Sequence, residues 1–399
     1  MVGHSSKEER VLYSSEAVCE GHPDKVCDQI SDSVLDACVK EDEGARVGCE
    51  CCTKTGMVMI FGEISTSSTI NYEAVIRTTL RDIGYDDPAK GLDYKSANVI
   101  VAVEEQSPEL AVHIDSMKLD DLAASDQCIV TGYATDETEE LMPLSHVLAT
   151  RIAARLSHVR KTKIIEWLRP DGKVMVTCEY KLSGKNVTPV RVNSVVLSIQ
   201  HEESVDQEEI REQIMEIVIK PSIPAKFRDD DTIYHLNPAG RFVLGGPQAD
   251  AGLSGRKLNV DGYGDWVPAS GSFSGKDATK IDRTAAYAAR WIAKSLVKAH
   301  LCKRVQVQLA YAIGIRHPIS IRIDSFGTGL TVSNKTDTEL LDIVHANFDL
   351  RPGRIIRDLD LRRPIMTPTS KFGHFGSQPN SDSTNTPPFP WEQEKDLRV

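Results

Sequence analysis

The chain has no apolar run long enough to cross a bilayer. Its longest, such as Met57–Phe61 and Val99–Val103, fall far short of the roughly 20 residues a spanning helix needs. The segment MVGHSSKEERVLYSS holds no apolar stretch of signal-peptide length, so neither a leader nor a membrane partner is expected. A basic excess is also missing. The net charge of −11, from 47 Lys and Arg against 58 Asp and Glu, argues against nucleic acid as a partner, because phosphate backbones are met by basic stripes. A local basic pocket for a small polyphosphate stays open. No cysteine framework exists either. Of nine cysteines, Cys49 and Cys52 alone stand at C-x-x-C spacing, and no second pair completes a zinc-like set. The odd count favours reduced thiols and a cytoplasmic location. A soft-metal site at Cys49, Cys51 and Cys52 is the alternative.

What is present is ordinary for a globular protein: 399 residues, 40% hydrophobic and 26% charged, enough for two or three domains. Apolar residues Val26, Ile30, Val34 and Cys38 recur every four positions and predict a helix over Asp24–Val39, with Pro23 at its start. Arg46–Ile64 reads as a hairpin turning at Lys54-Thr55-Gly56. Further helices are predicted at Glu73–Ile83, Leu144–Val159, Gln207–Ile219, Thr279–Ala299 and Thr338–Phe348. Strands are predicted at Lys173–Lys181, Val190–Ile199, Val305–Ile313 and Ile319–Ile323. Buried strands at Asn98–Val103, Ser194–Ile199 and Val305–Tyr311 recur about every hundred residues, which hints at three similar α+β units. Glu104–Cys128 is polar and aperiodic, the mark of a functional loop or lid. Asn237–Gly275 reads as glycine-punctuated loops, and Gln378–Pro390 as a mobile Ser/Asn/Pro stretch.

Two segments concentrate chemistry. In Gly21-His22-Pro23-Asp24-Lys25 an imidazole, a carboxylate and an ammonium sit at a helix N-terminus, where free N–H groups and the dipole attract anions. Asp24 suits a hard cation such as Mg²⁺, and His22 a donor to an oxygen gaining charge. The plainer reading is a capped helix with a solvated, charged first turn. Between Arg241 and Arg283, Arg256, Lys257, Lys276 and Lys280 supply cations for a polyphosphate, and Asp250 and Asp282 carboxylates for Mg²⁺ or an ammonium. Gly271–Lys276 is not a P-loop: its spacing is one residue short, and Asp277 stands where Ser or Thr binds Mg²⁺. The Pro170-Asp171-Gly172 turn leads into a strand, and turn chemistry alone accounts for it. Glu50 and Glu63 lie among apolar hairpin residues, where a buried carboxylate needs a cationic partner.

Together these segments resemble the S-adenosylmethionine synthetases. The resemblance runs through Glu20–Lys25, Cys27–Asp32, Lys54–Met57, Gly62–Ile64, Gln106–Pro108 and Gly132–Thr138. It continues through Leu168–Lys173, Gln200-His201, Gly240–Asp250, Ser274–Lys280, Ala285–Trp291 and Gly373–Gly376. It implies an α+β fold of three similar sandwich domains in a pseudo-threefold relation, with mixed sheets packed on helices and forming a dimer interface. The implied segments are 10–108, a lid at 109–128, 121–241, 242–385 and a tail at 386–399. The implied substrates are ATP and L-methionine, in a homodimer or homotetramer whose sites are shared between subunits.

Carried over, His22, Lys173 and Arg256 are implied to be catalytic. Lys25, Asp171, Phe242, Lys257, Lys276 and Lys280 are implied to hold ATP or its phosphates. Glu63, Gln106, Asp126 and Asp250 fall to methionine, Asp24 and Asp282 to two Mg²⁺, and Glu50 to one K⁺. Some residues depart from the family pattern. Ala123-Ala124-Ser125-Asp126-Gln127-Cys128 stands where the family has Gly-x-Gly-Asp-Gln-Gly, and Ala249 replaces a glycine. These changes leave a rival reading, a weakened nucleotide-binding relative acting as a partner subunit. A second rival is an enzyme that passes phosphate to an acceptor.

Overall fold

The computed structural model describes residues 9–105, 119–376 and 389–399. Gln106 and the first half of the expected lid, 109–118, lie outside these residues, as does most of Gln378–Pro390. The strands of the first half are β1 (Glu9–Val18), β2 (Arg46–Lys54), β3 (Met57–Ser65), the two-residue β4 (Asp86–Asp87) and β5 (Leu92–Asp93), β6 (Asn98–Glu104) and β7 (Cys128–Thr135). They are followed by β8 (Leu168–Ser183), β9 (Asn186–His201), β10 (Ile233–Leu236), β11 (Gly252–Leu253), β12 (Arg304–Tyr311) and β13 (Ser320–Asp324). The principal helices are α1 (Pro23–Glu41), α2 (Tyr72–Ile83), α3 (Leu144–Lys161), α4 (Gln207–Gln213, prolonged by a π-helical Ile214–Ile219), α5 (Ile281–Lys298), α6 (Asp337–Asn347) and α7 (Pro352–Asp358). None of the described helices is long and apolar enough to cross a membrane.

The pattern of these elements repeats. A strand, a long helix, an antiparallel hairpin and a second helix occur as β1-α1-β2-β3-α2, as β7-α3-β8-β9-α4 and as β11-α5-β12-β13-α6. In the first two units the second helix returns the chain to a strand parallel to the hairpin: β6 beside β3 and β10 beside β9. The resulting sheets have the orders β11-β2-β3-β6, β1-β8-β9-β10 and β13-β12-β7. The fold is therefore α+β, with mixed sheets and three related units.

The leading strand of each unit is donated to a neighbour. β1 pairs antiparallel with β8 of the second unit, β7 with β12 of the third, and β11 with β2 of the first. The exchange is cyclic, so contiguous segments of sequence are not the spatial units. Each long helix buries one face on its own unit's sheet. The apolar positions Val26, Ile30, Val34 and Cys38 of α1 are fully covered, which rewards the four-residue repeat with hydrophobic burial.

Two expectations change. β6 was expected to be buried, yet Ile100 and Val101 are exposed. Among the described residues it is the last strand of its sheet and is paired on one side only, which leaves these apolar residues uncovered there. The segment expected as a tail docks back instead. Trp391 is fully buried and stacks on Tyr287 at 3.7 Å between ring centroids. Glu392 accepts from Arg290 Nε (2.8 Å) and Nη2 (2.9 Å), from Lys294 Nζ (2.9 Å) and from the Gly376 N–H (2.9 Å).

Glu392→Ala is expected to leave Arg290 buried without a counter-charge and to lower stability by about 3–5 kcal/mol. The denaturant midpoint, with unchanged slope, measures the loss.

Candidate active site

The strand exchange brings Gly21–Lys25 to the start of β8. The Cys19 N–H donates to Gly172 O (2.9 Å) and the Gly21 N–H to Pro170 O (3.2 Å). A Cβ on Gly21 would stand 2.3 Å from Pro170 Cβ, so glycine alone lets the two turns meet. The chain then enters α1 with His22 as N-cap and Pro23 in the first turn. His22 Nδ1 accepts the Asp24 N–H across 3.2 Å, which leaves Nε2 to carry the proton of the neutral ring. Burial, then the positive charge of Lys257, pushes the His22 pKa down to about 4 against the pull of Asp24. At neutral pH the ring is an uncharged Nε2–H donor.

Asp24 does not project into solvent; its side chain is 3% exposed. Its Oδ1 accepts the Leu253 N–H (3.0 Å), its Oδ2 lies 2.7 Å from Lys257 Nζ, and Arg256 Nε is 3.6 Å away. The reading as a solvated first turn is thereby set aside. Burial opposes the charge on Asp24, but the Lys257 and Leu253 hydrogen bonds hold its pKa below the usual carboxylate value. Lys25 is placed differently from the expectation. It points away from this cluster, is fully buried, and pairs with Asp261 and with Asp28 (3.2 Å). It is held between two buried carboxylates of the frame.

Below Asp24 the same face of α1 carries carboxylates at four-residue spacing. Asp28 accepts the Gly255 N–H (2.8 Å), and Asp32 accepts the Gly275 N–H (2.8 Å) and forms a two-pronged pair with Arg283 (2.7 and 2.9 Å). Asp36 accepts the Met366 (3.0 Å) and Thr367 (2.7 Å) N–H groups. Inspection of apolar periodicity alone misses these partners. The signal that could have found them is the i, i+4 recurrence of Asp24, Asp28, Asp32 and Asp36 beside the apolar stripe.

The second cationic loop is clamped to β2 by backbone. The Cys49 N–H donates to Gly275 O (3.0 Å) and the Asp277 N–H to Val47 O (3.1 Å), and Asp277 Oδ2 accepts the Val47 N–H (2.7 Å). Lys276 Nζ then lies 3.2 Å from Asp282, and Lys280 Nζ 3.4 Å from Asp277. Glu50 is half-buried beside this loop. Burial raises its pKa while the charge of Lys276 opposes the rise. Glu63 is exposed, its carboxylate 3.6 Å from where a Cβ of Gly48 would be, with Lys280 Cε 4.0 Å from the same point. These four cations and their carboxylates therefore share one region with β2 and α1.

On the other side, Lys173 is half exposed and pairs with Glu16 on β1 at 2.5 Å, a partner not foreseen from sequence. Asp171 is buried and accepts the Gly246 N–H (2.8 Å), and burial lifts its pKa to about 6. Phe242 exchanges two backbone contacts with His201: its N–H donates to Nε2 (3.0 Å) and its carbonyl accepts the His201 N–H (3.0 Å). Asp250 and Asp126 are exposed, and among the described residues each accepts the N–H of the next residue (2.8 and 2.7 Å).

Cys49 and Cys51 are buried toward the core and Cys52 faces the opposite side of β2. No group of three or more His, Cys, Asp or Glu arranged to hold a metal exists among the described residues, so the soft-metal alternative is dropped. Asp24 and Asp282 could each give one carboxylate to a metal. That is the donor set of Mg²⁺, which takes one or two carboxylates and fills its shell with phosphate and water oxygens. A polyanion with hard cations fits this wall, and nothing in it resembles an activated nucleophile.

The family model for the N-terminal domain of S-adenosylmethionine synthetase matches residues 10–108, that for the central domain 121–242, and that for the C-terminal domain 244–393.

The depressed His22 pKa carries a stability signature. The unfolded ring takes a proton near pH 6.5 and the folded ring only near 4, so this residue's contribution is complete above about pH 6.5 and is lost as pH falls toward 4. An NMR titration of the His22 ring is expected to show no protonation step between about pH 6 and 8. A midpoint in that window would contradict the neutral-donor assignment.

Proposed function

Because the chain belongs to the S-adenosylmethionine synthetase family, matched by the models of all three of its domains, we propose that it joins ATP and L-methionine into S-adenosylmethionine and then hydrolyses the released tripolyphosphate to phosphate and pyrophosphate. The observation that supports this most is the meeting of Asp24 with Lys257 at 2.7 Å and Arg256 at 3.6 Å, across more than two hundred residues.

The methionine sulfur attacks C5′ of the ATP ribose, the C5′–O bond breaks, and the electron pair leaves with the tripolyphosphate. A thioether carries no proton, so no general base is required. The rate then depends on alignment and on charge stabilisation of the leaving group. His22 donates its Nε2–H to oxygens near the breaking bond. Lys173 exchanges Glu16 for the departing oxygen. Arg256, Lys257, Lys276 and Lys280 hold the phosphates, and Arg256 also serves their hydrolysis. Asp171 takes the ribose and Phe242 lies by the adenine. Glu63, Gln106, Asp126 and Asp250 take the polar ends of methionine. Asp24 and Asp282 are the carboxylates that would hold two Mg²⁺, which when bound neutralise phosphate charge; Glu50 would hold K⁺.

The outer faces of the sheets suit a second copy of the chain. Leu12, Met175 and Ile233 of the second sheet are exposed, as are Ile100 and Val101 of the first and Ile129 of the third. Apolar area of this kind, spread over sheet faces, fits a homodimer or homotetramer better than a monomer. Size-exclusion chromatography with light scattering is expected to give at least twice the 44.0 kDa chain mass.

The deciding assay supplies ATP, methionine, Mg²⁺ and K⁺ and detects S-adenosylmethionine by chromatography. Folded protein without product overturns the proposal. Lys173→Ala is expected to cut the first step at least about tenfold, or roughly 1.4 kcal/mol of barrier, with little change in melting temperature. Full activity in that variant would remove Lys173 from the mechanism.

A further inference from the structure

The cations assigned to phosphate lie on two loops, Arg256-Lys257 and Lys276–Lys280, and each loop begins at a glycine held by α1. The Gly255 N–H donates to Asp28 Oδ1 and the Gly275 N–H to Asp32 Oδ1, both at 2.8 Å. Gly255 has φ +73° and Gly275 φ +80°, so both use the left-handed region. Neither has room to shift. A Cβ would stand 2.3 Å from Ser272 Oγ at Gly255 and 1.8 Å from Cys49 O at Gly275. Asp28 and Asp32 are themselves fully buried. Lys25 holds the far oxygen of Asp28 (3.2 Å), and Arg283 grips Asp32 with both prongs. Neither carboxylate has an exposed edge for a ligand. They reach the site through the glycine N–H groups, and Asp32 also through Arg283, whose Nη1 donates to Phe273 O and Lys276 O, both at 3.1 Å.

Asp28 and Asp32 are four residues apart on one helix, about 6 Å along its axis. That interval is fixed by backbone hydrogen bonds, and the two loops it spaces also bond to β2 at separate points, the Ser254 N–H to Cys51 O and the Cys49 N–H to Gly275 O, both at 3.0 Å. We propose that α1 is a ruler. Asp28 and Asp32 are positioning residues that set the separation between the Arg256 and Lys276 loops, and so the length of polyphosphate chain that both loops grip at once. The identity of the anion rests on the proposed function; the geometry of the ruler does not.

The test separates reach from charge. Asp28→Asn keeps the acceptor in place and removes the charge, whereas Asp28→Glu keeps the charge facing Lys25 and moves the acceptor by one methylene. Each folded variant is titrated calorimetrically with tripolyphosphate and with pyrophosphate, in Mg²⁺. The ruler predicts that Asn weakens tripolyphosphate binding by no more than about threefold and Glu by at least tenfold, with pyrophosphate, short enough for one loop, affected less. If Asp28 merely balances Lys25, the order of the two variants reverses, and that reversal overturns the inference. Equal losses on both ligands, or no loss with Glu, overturn it too. Should the Glu variant not fold, Asp28→Ser, too short to reach Gly255, replaces it in the comparison with Asn. An unsubstituted chain that binds tripolyphosphate but forms no S-adenosylmethionine would defeat the reaction and leave the ruler standing. One that does not bind tripolyphosphate defeats the ruler and leaves the reaction to the product assay.

Discussion

Four aspartates on one face of α1, three of them buried, each accepting a backbone N–H from a loop more than two hundred residues away, hold the site together. Asp24 takes Leu253, Asp28 takes Gly255, Asp32 takes Gly275, and Asp36 takes Met366 and Thr367. Burying three of these carboxylates, Asp24, Asp28 and Asp32, along one helix is costly unless each is compensated. Here the compensation comes from loop amides, from Lys25 and Lys257, and from Arg283. The cost is also the source of order. A glycine-rich loop that could wander is fixed because leaving its place would strand a buried charge.

This arrangement depends on the cyclic exchange of strands. β1 crosses into the second sheet, so the turn that follows it lands against Pro170–Lys173. β11 crosses into the first sheet, so Leu253–Lys257 lands against α1. Each unit therefore completes its sheet with a neighbour's strand, and β1 and β11 each deliver a site segment. The three units are joined as one object, and the site is a product of the joints rather than of any single unit. The docked segment at Trp391-Glu392 fastens the third unit in the same manner, by an ion-paired carboxylate over Arg290.

The helices and hairpins were legible in the sequence because their signals are local. Apolar recurrence set α1, Thr336 and Glu339 close a capping box at α6, and Lys54-Thr55-Gly56 turned the first hairpin. The cation-rich loops were legible as composition. The partner of each charge was not. Lys25 and Lys276 read alike as loop-end cations, yet one is sealed between Asp28 and Asp261 and the other opens beside Asp282. Glu16 carried no signal of its own in the sequence, and in the structure it faces Lys173. β6 read as buried because its residues are apolar, and sheet position decided otherwise.

By itself the sequence determined the family, the long helices, the hairpins and the inventory of chemical groups, but not the exchanged strands β1, β7 and β11, because motifs, periodicity and turn chemistry are written within a few residues of one another. Tertiary structure alone decided which carboxylate meets which cation, which histidine nitrogen is free to donate, and which lysine is buried between carboxylates. Those outcomes depend on burial and on contacts between segments two hundred residues apart, and desolvation and Coulomb energy act through space without regard to chain distance.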